Sequence, residues 1–199
     1  MTSRREPDRC SYWDNDECVG TARCPPRCPR FTDERGVPSL VRPYRTDDFE
    51  ALAAMYEDFD ESVATMGLPP FTRSRIEDWI TELTSDGWNL VAVSSDRIVG
   101  HLAVTPASAL DPEFVVFVHT DFQNRGIGEE LLKQLVAYAD AGGHEALRLT
   151  VANENQRAIS VYENIGFETV DQSALNTEMQ LSLERPLTDR VQRPPADRD

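Results

Sequence analysis

The stretch FQNRGIGEELL, Phe122 to Leu132, places Gly126 and Gly128 directly ahead of a run of helix-forming residues. Glycine is unfavourable inside ordered structure, so a pair at a helix start points to an unusual backbone or to a close approach that a Cβ would block. A helix start also presents unpaired N–H groups and the positive end of a dipole, which together suit a phosphate. The residues around the turn exclude several phosphate-binding patterns. A Walker loop requires Gly-Lys-Ser/Thr, whereas Glu129 and Glu130 follow Gly128. A dinucleotide fingerprint requires Gly or Ala where Leu131 stands. A kinase glycine loop needs a lysine on a neighbouring strand, and Lys133, the single lysine of the chain, is in the wrong place.

The elements that must position this turn follow from periodicity. EFVVFV, residues 113–118, is apolar on both faces, as a covered central strand is, and it leads directly into the turn. The helix after it carries Ile127, Leu131, Leu132, Leu135, Val136 and Ala139 on one stripe and stops at Gly142-Gly143. Upstream, SLVRPYR reads as a strand and TDDFEALAAMYEDF as a helix capped at Asp47 with Glu50 three residues on. SRIEDWITELTSDG is a second helix with a Ser74–Glu77 capping box. WNLVAVSS and RIVGHLAVT form a hairpin through Ser95-Asp96. Downstream come the strand ALRLTVA, the helix NQRAISVYENIG capped by Asn155, and the strands FETV and TEMQLSLE. The charged, proline-rich residues 186–199 are expected to be a disordered tail.

Gln123-x-x-Gly126-x-Gly128 after this strand resembles motif A of the GNAT acetyltransferase superfamily, and Asn155, Ala158, Tyr162, Gly166 and Phe167 resemble its later signature. The element order from Ser39 to about Leu183 is similar too. The resemblance implies an α/β (α+β) fold, a mixed central sheet of six to seven strands flanked by about four helices. It also implies acetyl-CoA as cosubstrate. The amides of Asn124, Arg125, Gly126, Ile127, Gly128 and Glu129 would then form a concave nest for its pyrophosphate. Pantetheine would pair with the backbone of Val116, Phe117 and Val118, the Val118 N–H polarising the thioester carbonyl. Tyr162 would protonate the leaving thiolate, and Asn155 would touch the coenzyme as well as cap its helix. Glu113 is the expected general base, with His119 as its rival. The implied activity is transfer of an acetyl group from acetyl-CoA to an amine of a small molecule or protein by direct attack in a ternary complex; the alternative is a non-catalytic acyl-CoA-binding sensor whose cysteine-rich segment recruits a protein partner.

The acceptor would be chosen by the segment EDFDESVATMGLPPFTRS, where Asp58, Asp60 and Glu61 could attract a cationic amine. Cys10, Cys18, Cys24 and Cys28 all lie in residues 1–37, an arginine- and proline-rich segment read as separable from a domain at 38–185. Their spacing could close around one structural zinc, with two disulfides or four thiols as alternatives. The formal charge of −15, with 35 acidic against 20 basic residues, argues against nucleic acid as a partner. It suits a high-salt, halophilic cytoplasm. No apolar stretch approaches the roughly 20 residues that span a bilayer, so a cytoplasmic monomer or homodimer is expected.

Overall fold

The structure, a computed structural model, describes residues 18–59, 70 and 72–198. Among the described residues one sheet of eight strands organises the fold, in the order β1-β2-β3-β4-β5-β6-β8-β7. These strands are β1 (Arg30–Thr32), β2 (Pro38–Pro43), β3 (Trp88–Ser94), β4 (Arg97–Thr105), β5 (Glu113–Val118), β6 (Ala146–Ala152), β7 (Glu168–Gln172) and β8 (Asn176–Ser182). Every neighbouring pair is antiparallel except β5 and β6, which are parallel. The β3–β4 hairpin turns through Ser95 and Asp96, both at positive φ, as the primed two-residue turns require.

Helices cover both faces. On one side, α1 (Phe49–Glu57) and α2 (Arg73–Ser85) bury Leu52, Tyr56, Ile76 and Ile80 against Val91, Ile98 and Phe117. On the other, α3 (Ile127–Gly142) and α4 (Gln156–Ile165) cover Val99, Leu102, Phe114, Leu147 and Leu149. The α3 stripe is buried as its periodicity requires, with Leu131, Leu135, Val136 and Ala139 fully enclosed.

Four features differ from the sequence-based expectation. The sheet gains an eighth strand because residues 30–32, in the segment read as separable, pair with β2. Residues 186–192, expected to be disordered, belong to α5 (Arg185–Gln192), which packs on α3. Pro186 sits at its start, and Val191 is buried one turn beyond half-buried Leu187, an i, i+4 pair that the local charge density obscures. The acid that organises the start of α1 is Asp48, which accepts from the Arg45 N–H at 2.8 Å and is forked by Arg42 at 2.6 and 2.7 Å. Glu77 closes no capping box; it takes Arg73 Nε at 2.6 Å.

Candidate active site

β5 and β6 meet in a single register pairing, Glu113 with Arg148. Just before it, the Arg148 N–H donates to Pro112 O at 3.0 Å and the Glu145 N–H to Leu110 O at 2.7 Å. Beyond it the strands part, leaving one main-chain edge of β5 facing a cleft. Strand geometry decides which residues face it, because successive residues turn their N–H and C=O to opposite sides. The His119 N–H donates to Val99 O on β4 at 2.9 Å, so Phe117, in register with His101, turns its main chain to β4 as well. Val116 and Val118 therefore present their main chains to the cleft. This corrects the expectation for Phe117, whose backbone belongs to the β4 ladder and whose ring packs edge-on against Tyr56 and Trp79.

The turn after β5 is tied back to it by Gln123, whose Nε2 donates to Val118 O at 3.2 Å. Asn124 has φ +55° and Gly126 φ +76°, both left-handed. Gly126 is the α3 N-cap and offers no side chain, and the helical ladder begins with the Glu130 N–H donating to Gly126 O at 3.0 Å. The amides of Ile127, Gly128 and Glu129 precede that ladder at the positive end of the helix. A Cβ on Gly128 would meet Val118 Cγ2 at 3.6 Å, an ordinary contact. The protein's own packing thus does not demand glycine there; what glycine leaves open is space beside the end of β5.

Tyr162, half-buried on α4, packs edge-on against Phe114 at 6.1 Å and against Phe167 at 5.7 Å, which sets it beside the splayed strand. Burial pushes its phenol up to about 12. Asn155 caps α4, its Oδ1 accepting from the Ala158 N–H at 3.1 Å. Glu113 is exposed at the far end of β5, about 16 Å along an extended strand from Val118. A carboxylate side chain and one bridging water do not cover that span, so the expected base stands apart from the Val118 amide, where the resemblance puts the thioester carbonyl. His119 does not replace it. Both its nitrogens are already engaged, Nδ1 accepting from the Asp121 N–H at 3.2 Å and Nε2 lying 3.1 Å from Asp58 Oδ2.

A family model described as an acetyltransferase (GNAT) domain matches residues 40–168. The chain belongs to the GNAT acetyltransferase family. A curated acetyltransferase of Pectobacterium atrosepticum is 31% identical over 132 residues, 66% of this chain and 89% of that protein. The L-amino acid N-acetyltransferase AaaT of Escherichia coli is 25% identical over 134 residues, 65% of this chain and 82% of its own. Among solved structures, the GNAT domain of S. lividans PAT aligns with a TM-score of 0.68 at 23% identity, over 77% of this chain and 95% of that one. The structure of yncA from Salmonella typhimurium with its cofactor acetyl-CoA aligns at 0.61 and 19%, over 74% and 95%. These two likenesses concern the fold. The matched domain and the relatives named acetyltransferases make the protein an acyltransferase.

The GNAT model begins at residue 40, yet the turn is held by residues before it. Arg125 is buried and donates from Nε to Asp33 Oδ2 at 2.6 Å, with Nη2 on the same oxygen and the guanidinium 4.7 Å from the Phe122 ring centroid. Its charge is thus spent within the protein, and only its main chain serves the turn. Arg27 forks Glu130, in the first turn of α3, at 2.7 and 2.8 Å, and gives Nη1 to Val191 O at 2.6 Å. The sequence pattern gives no sign of either pair, since the partners lie 92 and 103 residues apart.

The expected zinc site is not found. Among the described residues, no three of His, Cys, Asp and Glu stand together as a metal would require, and Cys10 lies outside them. Cys18, Cys24 and Cys28 form no disulfide with one another; Cys24 Sγ accepts from the Thr21 N–H at 3.3 Å instead. Asp60 and Glu61, in the expected acceptor segment, also lie outside the described residues. Among the described helices none is long and apolar enough to cross a membrane.

Proposed function

We propose that the protein transfers an acetyl group from acetyl-CoA to an amine by direct attack in a ternary complex. The observation that carries this reading is the divergence of β5 from β6 after Glu113, because it leaves the Val116 and Val118 main chains pointing into a cleft that ends on the open amides of α3. Pantetheine, with its two amides, fits such an edge as an added strand, and the pyrophosphate fits the turn at Gly126 to Glu129. A solved neighbour that contains acetyl-CoA supports the choice of cosubstrate.

In the reaction the amine lone pair forms a bond to the thioester carbonyl carbon, negative charge gathers on its oxygen, and the C–S bond then breaks. The Val118 N–H donates to that oxygen as the charge develops. Tyr162, protonated throughout the working range, supplies the proton that leaves with the coenzyme thiol. The proton lost by the amine passes to solvent, since neither Glu113 nor His119 is placed to take it. Asn155 acts here as a helix cap. The acceptor class is an amine of a small molecule or protein; the Escherichia coli relative is named for L-amino acids.

The test pairs calorimetry of acetyl-CoA with amine-dependent thiol release, in the wild type and in Gly128→Val. A Cβ at this position meets only an ordinary contact within the protein, and the side chain it begins would stand where a phosphate must approach the amides, so the affinity should fall about tenfold or more with the fold kept. Equal affinity in the folded variant would remove the pyrophosphate from this turn. Binding without thiol release across a panel of amines and amino acids would favour an acyl-CoA sensor.

A further inference from the structure

We propose that Asp33 is a positioning residue for the pyrophosphate turn, acting through the Arg125 side chain. The inference rests on the acetyl-CoA reading above and adds a part of the site that lies outside the matched GNAT domain.

Asp33 is 5% exposed and Arg125 7%, so the pair is sealed from water. The two carboxylate oxygens divide the work. Oδ2 takes the Arg125 guanidinium, while Oδ1 accepts the N–H groups of Arg35 and Val37 at 2.9 Å each. The Asp33 N–H also donates to Val37 O, closing the turn between β1 and β2 into a rigid loop. That loop grips Arg125 twice, because the Glu34 N–H donates to Arg125 O at 3.2 Å. Arg125 is thereby fixed by both side chain and carbonyl, between Asn124 and Gly126, the two left-handed residues of the coenzyme turn.

Asparagine tolerates the left-handed conformer better than most side chains, but in a free turn it is one of several accessible backbones, so the surroundings decide how fully it is held. Without the grip, the turn would sample other backbones, and the amides of residues 126–129 would have to be gathered when the coenzyme binds. The Arg27–Glu130 fork fixes the far side of the same turn. Ordering beforehand raises affinity without any new contact to ligand. Electrostatics alone would give the opposite sign. Removing the Asp33 charge leaves Arg125 uncompensated beside a pyrophosphate, and a purely Coulombic account expects tighter binding.

Asp33→Asn tests this, since an amide oxygen still serves Arg35 and Val37 while the ion pair is lost. We expect the Kd and KM for acetyl-CoA, and the Kd for CoA, to rise about tenfold, with kcat at saturation within about twofold. Turnover of S-acetylpantetheine, a thioester without pyrophosphate, should be unchanged, and Asp33→Glu should recover part of the affinity. Unchanged or tighter acetyl-CoA binding by a folded Asp33→Asn would overturn the proposal, as would an equal loss with S-acetylpantetheine. Arg125→Lys, which keeps a single charged contact, provides a second reading, and an intermediate loss is expected there. If the wild type itself does not bind acetyl-CoA, the proposed function fails on that measurement alone, before any variant is compared.

Discussion

Glu113 stands opposite Arg148 at the point where β5 and β6 meet, about 16 Å along the strand from Val118. The pairing marks the closed end of the cleft and the Val118 amide its open end, so the two carry different duties. Glu113 belongs to the joint that keeps the sheet continuous. Glu113→Gln is expected to keep kcat/KM for the amine within about threefold and to leave the pH–rate profile unshifted. A loss of a hundredfold or more, together with disappearance of an acid limb, would return Glu113 to the role of base.

Tyr162 should separate binding from chemistry. Its ring packs against Phe114 and Phe167, contacts that phenylalanine retains, so Tyr162→Phe removes one hydroxyl and little packing. The expected result is a fall in kcat on the order of a hundredfold, with acetyl-CoA affinity within a factor of three. Because burial holds the phenol up to about 12, the wild type should show no loss of this proton donor between pH 8 and 10. A Tyr162→Phe variant with full turnover would leave the leaving thiolate to solvent and remove Tyr162 from the mechanism.

The arrangement around these residues was legible in the sequence to different depths. The α3 stripe and the Ser95-Asp96 hairpin are local periodicities, and local patterns survive folding because each already buries one face. The glycine turn was legible for the same reason, since its residues are contiguous. The direction of the Phe117 main chain was not, because it depends on which residue of β4 donates or accepts opposite it, and register is a property of two strands. Nor was the Arg125–Asp33 pair, which a composition shift near residue 37 assigns to two separate bodies. Charge density at residues 185–199 likewise outweighed the spacing of Leu187 and Val191 that builds α5.

His101 sets an acid limit on the fold. It is wholly buried on β4, with Nε2 2.9 Å from Asn89 Oδ1 and Nδ1 2.6 Å from the Tyr56 hydroxyl. The Asn89 amide nitrogen gives its hydrogen to Leu83 O, so its oxygen accepts from Nε2–H and the Tyr56 hydroxyl donates to Nδ1. The ring is neutral, and burial lowers its pKa to about 3. In the unfolded chain the same group titrates near 6.5, so below that pH the unfolded state binds the extra proton. Stability is therefore complete above about pH 6.5 and falls as the pH drops toward 3, at a rate approaching 1.4 kcal/mol per pH unit. Asp33 and Asp48, both held below the usual carboxylate range, add their losses only below about pH 4. Thermal midpoints measured from pH 7 to 4 should decline, and His101→Gln should flatten that decline from a lower starting stability. An equally steep decline in His101→Gln would assign the acid sensitivity to other groups.

Removal of residues 1–37 gives the sharpest test of whether the cysteine-bearing segment is an appendage. The sequence reading makes it separable, with a linker near Gly36 and Pro38. The structure has Arg27 bridging Glu130 on α3 to Val191 O on α5, Cys28 O accepting from Gln134 Nε2 at 2.8 Å, and β1 paired along β2. Truncation would strip the partners from two buried charges at once, Glu130 and Arg125. Breaking one buried pair by removing a single partner costs about 3–5 kcal/mol, comparable to a large part of a domain's stability. The truncated chain should accordingly be insoluble or melt well below the full-length protein. Arg27→Met, which fills the same volume without charge, should also be destabilised, because Glu130 loses its forked partner and keeps the Gln134 amide and the Arg198 charge, which makes no ion pair with it. Adding Glu130→Gln to Arg27→Met should restore part of the loss, since the double variant buries no unpaired charge. A truncated protein that melts with the full-length one would show that the segment's contacts contribute nothing in solution.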